Sequence, residues 1–541
     1  MKVHSTLFAV GVTCLAVLVQ AQEPTLFSDQ LLYTLKAFPS SDAIVASLSE
    51  AIQVSTDTID EASYHIEDRS VLSSSRSQVA CQLLECILPT YYTDPSTNHS
   101  AYDTLRENNW SSNCQLPAAC FISPEHPVQV AVALQIIDKL QSKFAVQSGG
   151  HNPNPGFAGV GQDGVTILMQ RFQTLKLSAD RSTATVGAGL RFGAVQQFLD
   201  SQGVAVVSGR NKYVGVSGLL LGGGHPIINS LTGLAADNIK SMEVVLSDFR
   251  VVTASQTTNP DLFRALKGGG NNFGVVTKFD LYTTMPRNIW YRIVSYNASN
   301  SRTVLDALVQ VQRNMEGDPK AGIQVTCTPA GFTVTFVYGE YANNPAVFAP
   351  FSYITPTAES TPPANGSTLQ FIELQSPPQP EASRDTVGVT TLPDTDLYLD
   401  IYNRYLAVAA ANKNTSAAFL LPIQTFGSAA ARIGQLNGGN VLGTSQRAQT
   451  WWNPIAQWTD PAYDKQVHNA LIKLADDITS LSQARGLHDR FIFANIATRG
   501  QNVLASYGPE NLDFLQGVSQ KYDDAGTFQR VQNGGFLVSR S

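Results

Sequence analysis

The sequence predicts an α+β fold with more than one domain, and three observations support this prediction. The chain has 541 residues, more than one ordinary hydrophobic core needs. Hydrophobic residues make up 43% and charged residues 15%, which is typical of a folded globular protein and not of a disordered one. Short β-like runs alternate with segments of helical periodicity between residues 124 and 284, so strands and helices are expected in the same domain.

The N-terminal residues have the layout of a secretory signal peptide. Lys2 and His4 precede an apolar run over 7–19, and Ala21 lies near a suitable cleavage point. Because that run is too short to cross a bilayer, residues 1–21 are predicted to be removed, and a membrane anchor is the alternative. The mature protein is therefore expected to be secreted, with no membrane span. The net charge of −7, without any basic block, argues against nucleic acid as a partner.

Glycosylation signals agree with a secretory route. In a glycosylating host, N-x-S/T sequons would carry N-glycans at surface positions. The sequons lie at Asn98, Asn109, Asn297, Asn365 and Asn414.

The cysteines suggest a stapled N-terminal segment over 22–120. In an oxidising compartment, the cluster predicts two disulfides, and three pairings are open. No CxxC pair is present and histidines are sparse nearby, so no metal site is predicted. Cys327, far from the others, is expected to be a buried apolar thiol. The clustered residues are Cys81, Cys86, Cys114 and Cys120.

Secondary structure is predicted most clearly after Pro124. Residues 128–137 have helical spacing of apolar side chains and follow a proline, as helices often do. The stretch 355–383 is rich in Pro, Ser and Thr and is predicted to be an exposed loop. Strands are predicted where β-forming runs are bounded by Gly, Asp or Ser, at 144–147, 165–168, 183–186 and 204–207.

Three glycine-rich segments carry the functional signal. They are VQSGGHNP (146–153), GRNKYVGVSGLLLGGG (209–224) and ALKGGGNNFGVVT (265–277). Glycine at this density costs conformational entropy, and it is tolerated where the backbone takes positive φ or approaches a ligand closely. Successive N–H groups in such a turn form a concave donor site for a diphosphate. One cluster alone could be an ordinary tight turn, but three in order predict a phosphate-bearing cofactor.

A Rossmann dinucleotide site fits these segments less well. That site needs G-x-G-x-x-G opening a helix after the first strand, with an acidic residue about 20 positions further on. The sequence GAGLRFG (187–193) misses the spacing by one residue. The glycine triplet at 222–224 has no acidic partner at the right distance.

In combination, the motifs resemble the FAD-linked oxidases of the vanillyl-alcohol oxidase and berberine-bridge-enzyme group, within its secreted fungal branch. The resemblance runs from about Cys81 to the end of the chain. It implies a two-part FAD-binding domain, 121–285 completed by 490–541, with an inserted substrate domain over 286–489 built on an antiparallel sheet. The matching segments are SGGH (148–151), VGVSGLLLGGG (214–224), GLAADN (233–238), NPDLF (259–263), KGGGNNFGVVT (267–277), YG (507–508) and KYD (521–523).

The resemblance also implies how FAD is held. In the family, a histidine in the first turn bonds to the 8α-methyl of the flavin, so a single covalent link at His151 is expected. Asn211 stands where some members carry a second flavin-linking cysteine, so a doubly linked flavin is not expected. The implied cofactor-binding residues are His151, Ser148, Gly149, Gly150, Asn152, Val214, Gly215, Val216, Ser217, Gly218, Gly222, Gly223, Gly224 and Val275.

The catalytic base departs from the family pattern. Many relatives carry an Asn-Tyr pair near the C-terminus with the tyrosine as proton acceptor, but here Asn495 is followed by Ile496, which cannot accept a proton. His225 is the first candidate to replace it, because an imidazole titrates in the useful range. The further candidates, in the presumed substrate domain, are Tyr402, Tyr405 and His468.

The expected activity is oxidation of a small organic molecule with molecular oxygen as electron acceptor. Desaturation or oxidative cyclisation of an intermediate in fungal secondary metabolism is the favoured reaction class. Carbohydrate oxidation is one alternative, against which Asn211 argues mildly. A pericyclase-like cyclisation with little net redox is another, because the missing tyrosine leaves it open.

Overall fold

The computed structural model describes residues 76–541. The predicted signal peptide, 1–21, and the first part of the segment 22–120 lie outside the described residues. Within residues 76–541, every helix is too short or too polar to span a membrane.

The strands are numbered in chain order. They are β1 (Tyr92–Thr93), β2 (Cys120–Ile122), β3 (Lys143–Gln147), β4 (Gly164–Leu168), β5 (Leu175–Leu177), β6 (Thr183–Gly187), β7 (Ile239–Val245), β8 (Val251–Ser255), β9 (Val275–Tyr282), β10 (Asn288–Asn297), β11 (Ala321–Thr328), β12 (Gly331–Tyr338), β13 (Ala358–Ser367), β14 (Ser383–Thr386), β15 (Val389–Thr391), β16 (Ala418–Phe426), β17 (Gln449–Trp452), β18 (Ile455–Trp458) and β19 (His488–Asp489).

The α-helices are numbered in the same way. They are α1 (Arg76–Ile87), α2 (His99–Glu107), α3 (Pro127–Leu140), α4 (Phe192–Ser201), α5 (Val216–Leu221), α6 (Asn229–Thr232), α7 (Pro260–Leu266), α8 (Ser301–Met315), α9 (Thr368–Leu374), α10 (Thr395–Ala411), α11 (Ser428–Leu436), α12 (Asp464–Ala484), α13 (Val503–Ser506), α14 (Pro509–Tyr522) and α15 (Thr527–Arg530).

The first sheet has the order β1-β2-β4-β3. Strands β2, β4 and β3 are parallel, and β1 is antiparallel to β2. Helix α3 connects β2 to β3 and is buried from Val128 to Ile137, which confirms the predicted helix. Pro127 occupies its first turn, where an N–H would have no helical partner. The first glycine segment follows β3, so the sheet places it at the end of a buried strand.

The second sheet is antiparallel, with the order β5-β6-β9-β7-β8. Strands β3, β4 and β6 confirm three of the four predicted strands. The fourth prediction, 204–207, is wrong, because these buried residues form no strand. A side chain takes the place of a strand partner there, since Gln196 Nε2 donates to the carbonyl of Val206 at 2.7 Å.

The third sheet is large and follows the path β13-β10-β12-β11-β16-β17-β15-β19, with β18 pairing both β14 and β16. All of its strand pairs are antiparallel. Helices α8, α10 and α12 pack on it and share its hydrophobic core. The α+β class and the antiparallel sheet after residue 286 are therefore confirmed.

The prediction of an exposed loop over 355–383 is wrong, because this stretch contains strand β13 and helix α9. Strand β13 lies at the edge of the third sheet, where proline is tolerated because the missing N–H is not needed. Pro362 and Pro363 fall between the paired residues Thr361 and Ala364, at a shift in register against β10. The Pro-, Ser- and Thr-rich composition of this stretch is therefore that of an irregular edge strand and not of a loop.

The C-terminal residues return to the first sheet and the third glycine segment. The Phe144 N–H donates to the Val531 carbonyl at 3.1 Å, and the Asn533 N–H donates to the Phe144 carbonyl at 2.8 Å. The Tyr507 hydroxyl donates to the carbonyl of Gly268 at 3.1 Å. These contacts join residues 490–541 to residues 121–285.

The cysteines form one of the predicted bridges. Cys81 in α1 and Cys120 in β2 are joined by a disulfide. Cys114 keeps a buried free thiol, with its Sγ 3.4 Å from the carbonyl oxygen of Asn152. The prediction of two disulfides within this cluster of four cysteines is therefore wrong, because Cys114 is not bridged. Cys327 is a buried free thiol, as predicted.

Four of the five sequon asparagines, all except Asn109, are exposed in the structure. The Asn109 side chain is half-buried and its amide donates to the Arg106 carbonyl at 3.0 Å. Glycosylation itself stays a prediction.

Candidate active site

A cavity of about 520 Å³ lies where the glycine segments meet the third sheet. All three glycine segments contribute to its wall. Gln424, Asn453 and Ile455 contribute from the third sheet, and residues 493–497 contribute from the C-terminal segment. The cavity therefore lies between the part of the chain that carries the glycine turns and the part that carries the antiparallel sheet.

Most of the predicted cofactor-binding residues line this cavity. Val216, Gly223 and Gly224 do not, and they support it from behind. The Val216 N–H donates to the Leu190 carbonyl, and the carbonyls of Gly223 and Gly224 accept from the N–H groups that follow Leu234. The predicted residues in the wall are Ser148, Gly149, Gly150, His151, Asn152, Val214, Gly215, Ser217, Gly218, Gly222 and Val275.

The first two glycine turns contact each other directly. A Cβ atom on Gly149 would lie 2.5 Å from the Cα of Gly215, and a Cβ on Gly215 would lie 2.5 Å from the nitrogen of Gly149. No side chain can occupy that space, so glycine is required at both positions. Ser148 Oγ and Ser217 Oγ both donate to the carbonyl of Ala188, at 2.6 and 2.9 Å. The two turns therefore form one surface.

Backbone donors of the first turn are left for a ligand. Among residues 76–541, the N–H groups of Gly149, Gly150 and His151 have no hydrogen-bond acceptor. Unpaired backbone N–H groups away from solvent are rare in folded proteins. In a glycine turn they form a donor site of the kind that accepts phosphate oxygens.

His151 is held by a stack of rings. Its imidazole lies against the indole of Trp110, with ring centroids 4.3 Å apart and an interplanar angle of 18°. Burial, and then the positive charges of Arg191 and Arg384, lower the pKa of His151 to about 3. The imidazole is therefore neutral near pH 7, and one ring nitrogen keeps a lone pair that can act as a nucleophile.

Arg384 anchors this stack from the third sheet. Its guanidinium lies over the Trp110 ring, 5.1 Å from the centroid, and donates to the backbone carbonyls of Trp110, Pro380 and Ala382. The Ser111 hydroxyl donates to the Arg384 carbonyl at 3.0 Å. These contacts hold the loop that carries Trp110 across the first glycine turn.

His225 also lines the cavity. Its Nε2 lies 3.0 Å from the carbonyl oxygen of Thr425 in β16, and its ring centroid lies 5.1 Å from that of Trp451. Because a carbonyl oxygen only accepts, Nε2 carries the hydrogen and Nδ1 carries the lone pair. Nδ1 has no hydrogen-bond partner among the described residues. Burial, and then the charge of Arg210, lower the pKa of His225 to about 3.

Asn495 and Ile496 have different roles in the wall. The Gly224 N–H donates to Asn495 Oδ1 at 2.9 Å, and Asn495 Nδ2 donates to the Gly218 carbonyl at 3.0 Å, so Asn495 holds the second glycine segment. Ile496 lines the cavity and supplies no acid or base. In the described part of the wall, the ionisable side chains are His151, Arg210 and His225.

The structure does not bring the other candidates to the cavity. The Tyr402 hydroxyl donates to the Thr328 carbonyl at 3.1 Å, and the Tyr405 hydroxyl donates to the Phe419 carbonyl at 2.7 Å. Both rings belong to the core of the third sheet. His468 Nδ1 lies 2.5 Å from the buried carboxylate of Asp385. None of these three candidates lines the cavity, so a catalytic role for Tyr402 or Tyr405 has no geometric support.

Sequence reasoning missed Trp110, Arg384 and Arg210. Arg210 stands inside the second glycine segment, and its position there was an available signal. Trp110 lies within a sequon far from the first turn, and Arg384 directly follows the stretch 355–383 that was predicted to be a loop, so only the fold brings them to His151.

Comparisons with known proteins agree with this geometry. The family profile described as an FAD binding domain matches residues 118–255. A protein of Arthrobotrys oligospora named FAD-dependent monooxygenase is 35% identical over 479 residues, covering 88% of this chain and 92% of its own.

Solved structures share the fold at low identity. BBE-like 1 of Physcomitrella patens superimposes with a TM-score of 0.70 at 19% identity, covering 82% of this chain and 96% of its own. The glucooligosaccharide oxidase of Acremonium strictum superimposes with a TM-score of 0.68 at 18% identity, covering 82% and 96%. The FAD of that oxidase is described as 6-S-cysteinyl, 8α-N1-histidyl.

The residues of the cavity fit FAD. No carboxylate is present in the described part of its wall to repel a diphosphate, and the N–H groups at 149–151 are free to bind one. The neutral His151 nitrogen lines the same cavity. The described wall of the cavity includes Asn211 and no cysteine.

Proposed function

The chain belongs to the family of FAD-linked oxidoreductases that includes the fungal FAD-dependent monooxygenases, and from this premise we propose that it is an oxygen-dependent oxidase of a small organic intermediate in secondary metabolism. The observation that carries the proposal is the shared wall of the cavity. One side offers glycine turns and the neutral His151, and the other offers side chains of the third sheet for a substrate. FAD, when bound, supplies a two-electron acceptor that molecular oxygen can reoxidise.

We propose that His151 bears a single covalent bond to the 8α-methyl of the flavin. The low pKa of His151 keeps a ring nitrogen unprotonated, and the Trp110 stack holds the ring in one orientation. Asn211 cannot form the second bond that a cysteine forms, so we expect a mono-covalent flavin.

His225 is proposed as the residue that accepts a hydrogen bond or a proton from the substrate. The described wall has three ionisable side chains. Arg210 is cationic and His151 is proposed to bond to the flavin, so His225 is the one that remains. Its Nε2–H is fixed by the Thr425 carbonyl, so the lone pair lies on the buried Nδ1, which has no partner among the described residues. A low imidazole pKa makes it a weak base, which suits a substrate that needs little help to lose a proton.

The wall favours an organic scaffold with apolar surface over a sugar. Ile455, Phe493 and Ile496 line the cavity beside Gln424 and Asn453. A carbohydrate site needs polar partners for several hydroxyl groups, because each buried hydroxyl without a partner costs free energy. Carbohydrate oxidation is therefore the second choice.

The first test is acid precipitation of the purified mature protein, with spectra of pellet and supernatant. We expect yellow colour in the pellet and the FAD mass on the peptide that contains His151. A His151→Ala variant should release its flavin to the supernatant. Colour that stays in the variant pellet would contradict the His151 bond, and a protein that binds no flavin would contradict the proposed function.

The second test separates the reaction classes with screened substrates. An oxidase bleaches the flavin under anaerobic conditions and forms one hydrogen peroxide per product in air. Incorporation of ¹⁸O from ¹⁸O₂ into the product would show a monooxygenase instead. Product that forms without flavin reduction would show the cyclase alternative.

A further inference from the structure

We propose that Arg210 is the binding site for an acidic oxygen of the substrate, such as a carboxylate, phenolate or enolate. This inference rests on the proposed function and deepens it, because it names the substrate class of the same cavity. The substrate would be an organic acid that binds as its anion.

Arg210 is a cation without a partner. It lines the cavity, and among residues 76–541 it makes no ion pair and no hydrogen bond. Burial lowers its pKa to about 10, with no acidic group contributing, so it stays charged at neutral pH. A charge in such surroundings costs free energy unless another group pairs with it.

Two other arginines near the cavity have structural roles, in contrast to Arg210. Arg384 donates to three backbone carbonyls, and Arg191 donates to Asn108 Oδ1 at 2.9 Å and to the Gly149 carbonyl at 3.0 Å. Both guanidinium groups are occupied by the protein itself. Arg210 has no such acceptor in the described structure, so its donors are available to a ligand.

The position of Arg210 points to the substrate and not to the diphosphate of FAD. The N–H donors for a phosphate lie at 149–151, in the first turn. The loop of Arg210 is tied instead to helix α9 and the residues that follow it, because Lys212 pairs with Glu373 and the Lys212 N–H donates to Ser376 Oγ at 2.9 Å. The charge of Arg210 acts on His225, which is bonded to strand β16 of the third sheet. Arg210 and the third sheet are therefore both close to His225 in the cavity wall.

Polar groups of the cavity wall can complete an anion site. The guanidinium presents paired N–H donors that match a carboxylate in a bidentate arrangement and also bind a single anionic oxygen. Gln424 and Asn453 line the same cavity and can orient neutral polar groups of the ligand. No described carboxylate lines the wall, so nothing there competes for Arg210.

A phenolic or enolic substrate would also explain why Ile496 is tolerated. A tyrosine at this place would remove a proton from the substrate, and isoleucine cannot. A phenol or enol that Arg210 holds as its anion has already lost its O–H proton to solvent. A carboxylate substrate loses a different proton, so its oxidation still relies on His225, the proton acceptor proposed above.

The test measures binding to the flavin-loaded protein by isothermal titration, with benzoate and its neutral isostere benzamide as probes. We expect wild type to bind benzoate about 10-fold or more tightly than benzamide, the scale of a charge-assisted hydrogen bond. Arg210→Gln should weaken benzoate by about 10- to 100-fold and leave benzamide unchanged. Arg210→Lys should keep part of the preference, because it retains a point charge without the planar fork.

The matched control is Arg499→Gln, which removes the same charge from an exposed residue that does not line the cavity. It should bind both probes as wild type does. Equal affinity of wild type for benzoate and benzamide overturns the proposal, even if Arg210→Gln fails to fold. A changed flavin midpoint potential in Arg210→Gln with an unchanged benzoate preference also overturns it, because the cation then serves the cofactor. Wild type without flavin contradicts the proposed function and not this inference.

Discussion

Trp110 lies parallel to His151, with ring centroids 4.3 Å apart and an angle of 18° between the planes. The contact joins the loop after α2 to the first glycine turn. The Arg384 guanidinium, from the third sheet, lies over the Trp110 ring, and the neighbouring Ser111 hydroxyl donates to the Arg384 carbonyl. The orientation of the proposed flavin-linking histidine therefore depends on residues from the third sheet.

Replacing Trp110 should slow covalent attachment without abolishing flavin binding. Trp110→Ala removes the ring against which His151 stacks, so the imidazole samples more orientations and a smaller fraction of protein should carry acid-stable FAD. Trp110→Phe keeps an aromatic face and should retain most of the attachment. The acid-stable fraction and the mass of the His151 peptide measure both effects. Equal attachment in Trp110→Ala and wild type would show that the stack does not position His151.

Alanine at Gly149 should separate the two glycine turns. Its Cβ would lie 2.5 Å from the backbone of Gly215, and overpacking of this kind costs about 1–3 kcal/mol. We expect a lower unfolding midpoint and loss of FAD. Gly517→Ala is the matched control, because its Cβ meets nothing within 4 Å on helix α14. That variant should gain roughly 0.5–1 kcal/mol from helix propensity. A Gly149→Ala protein that keeps wild-type stability and FAD would contradict the close packing of the turns.

Acid should destabilise the flavin-free protein partly through the buried histidines. The pKa of His225 is lowered to about 3 in the folded state, whereas an unfolded histidine titrates near 6.5. Between these values the unfolded chain binds a proton that the folded chain does not, so the free energy of unfolding falls as pH falls below about 6.5. His225→Gln should make that fall shallower in urea titrations. An unchanged slope of stability against pH in His225→Gln would refute the assignment.

His468 should matter for stability and not for chemistry. Its Nδ1 lies 2.5 Å from Asp385 Oδ2, and the Thr498 hydroxyl donates to the other oxygen of this buried carboxylate at 3.0 Å. His468→Ala leaves the carboxylate short of a partner and should cost about 1–3 kcal/mol. The rate of flavin reduction by a screened substrate should stay within about two-fold of wild type, or about 0.4 kcal/mol in activation free energy, because His468 does not line the cavity. A large loss of that rate with normal stability would restore His468 as a catalytic candidate.

Several parts of the fold follow from local patterns. Helix α3 shows its apolar spacing and its initial proline in the sequence, and strands β3, β4 and β6 show their β-forming runs. The antiparallel third sheet was implied by the resemblance. The errors at 204–207 and 355–383 have one cause, because a strand requires a partner and partners are chosen by tertiary packing. Val206 receives a side chain in place of a strand, and β13 accepts two prolines because it lies at a sheet edge.

The sequence by itself determined the cofactor class, and it predicted most of the glycine-turn residues that line the cavity. A glycine turn is formed by residues that are adjacent in the sequence. Because no side chain fits at Gly149 or Gly215, the requirement for glycine is directly visible in the sequence at these two positions. Only the tertiary structure decided which distant side chains surround the cavity. Trp110 and Arg384 hold His151, and Arg210 has no partner within residues 76–541. Tyr402 and Tyr405 pack in the core of the third sheet. Pairing and burial between distant segments set these outcomes, and no local spacing encodes them.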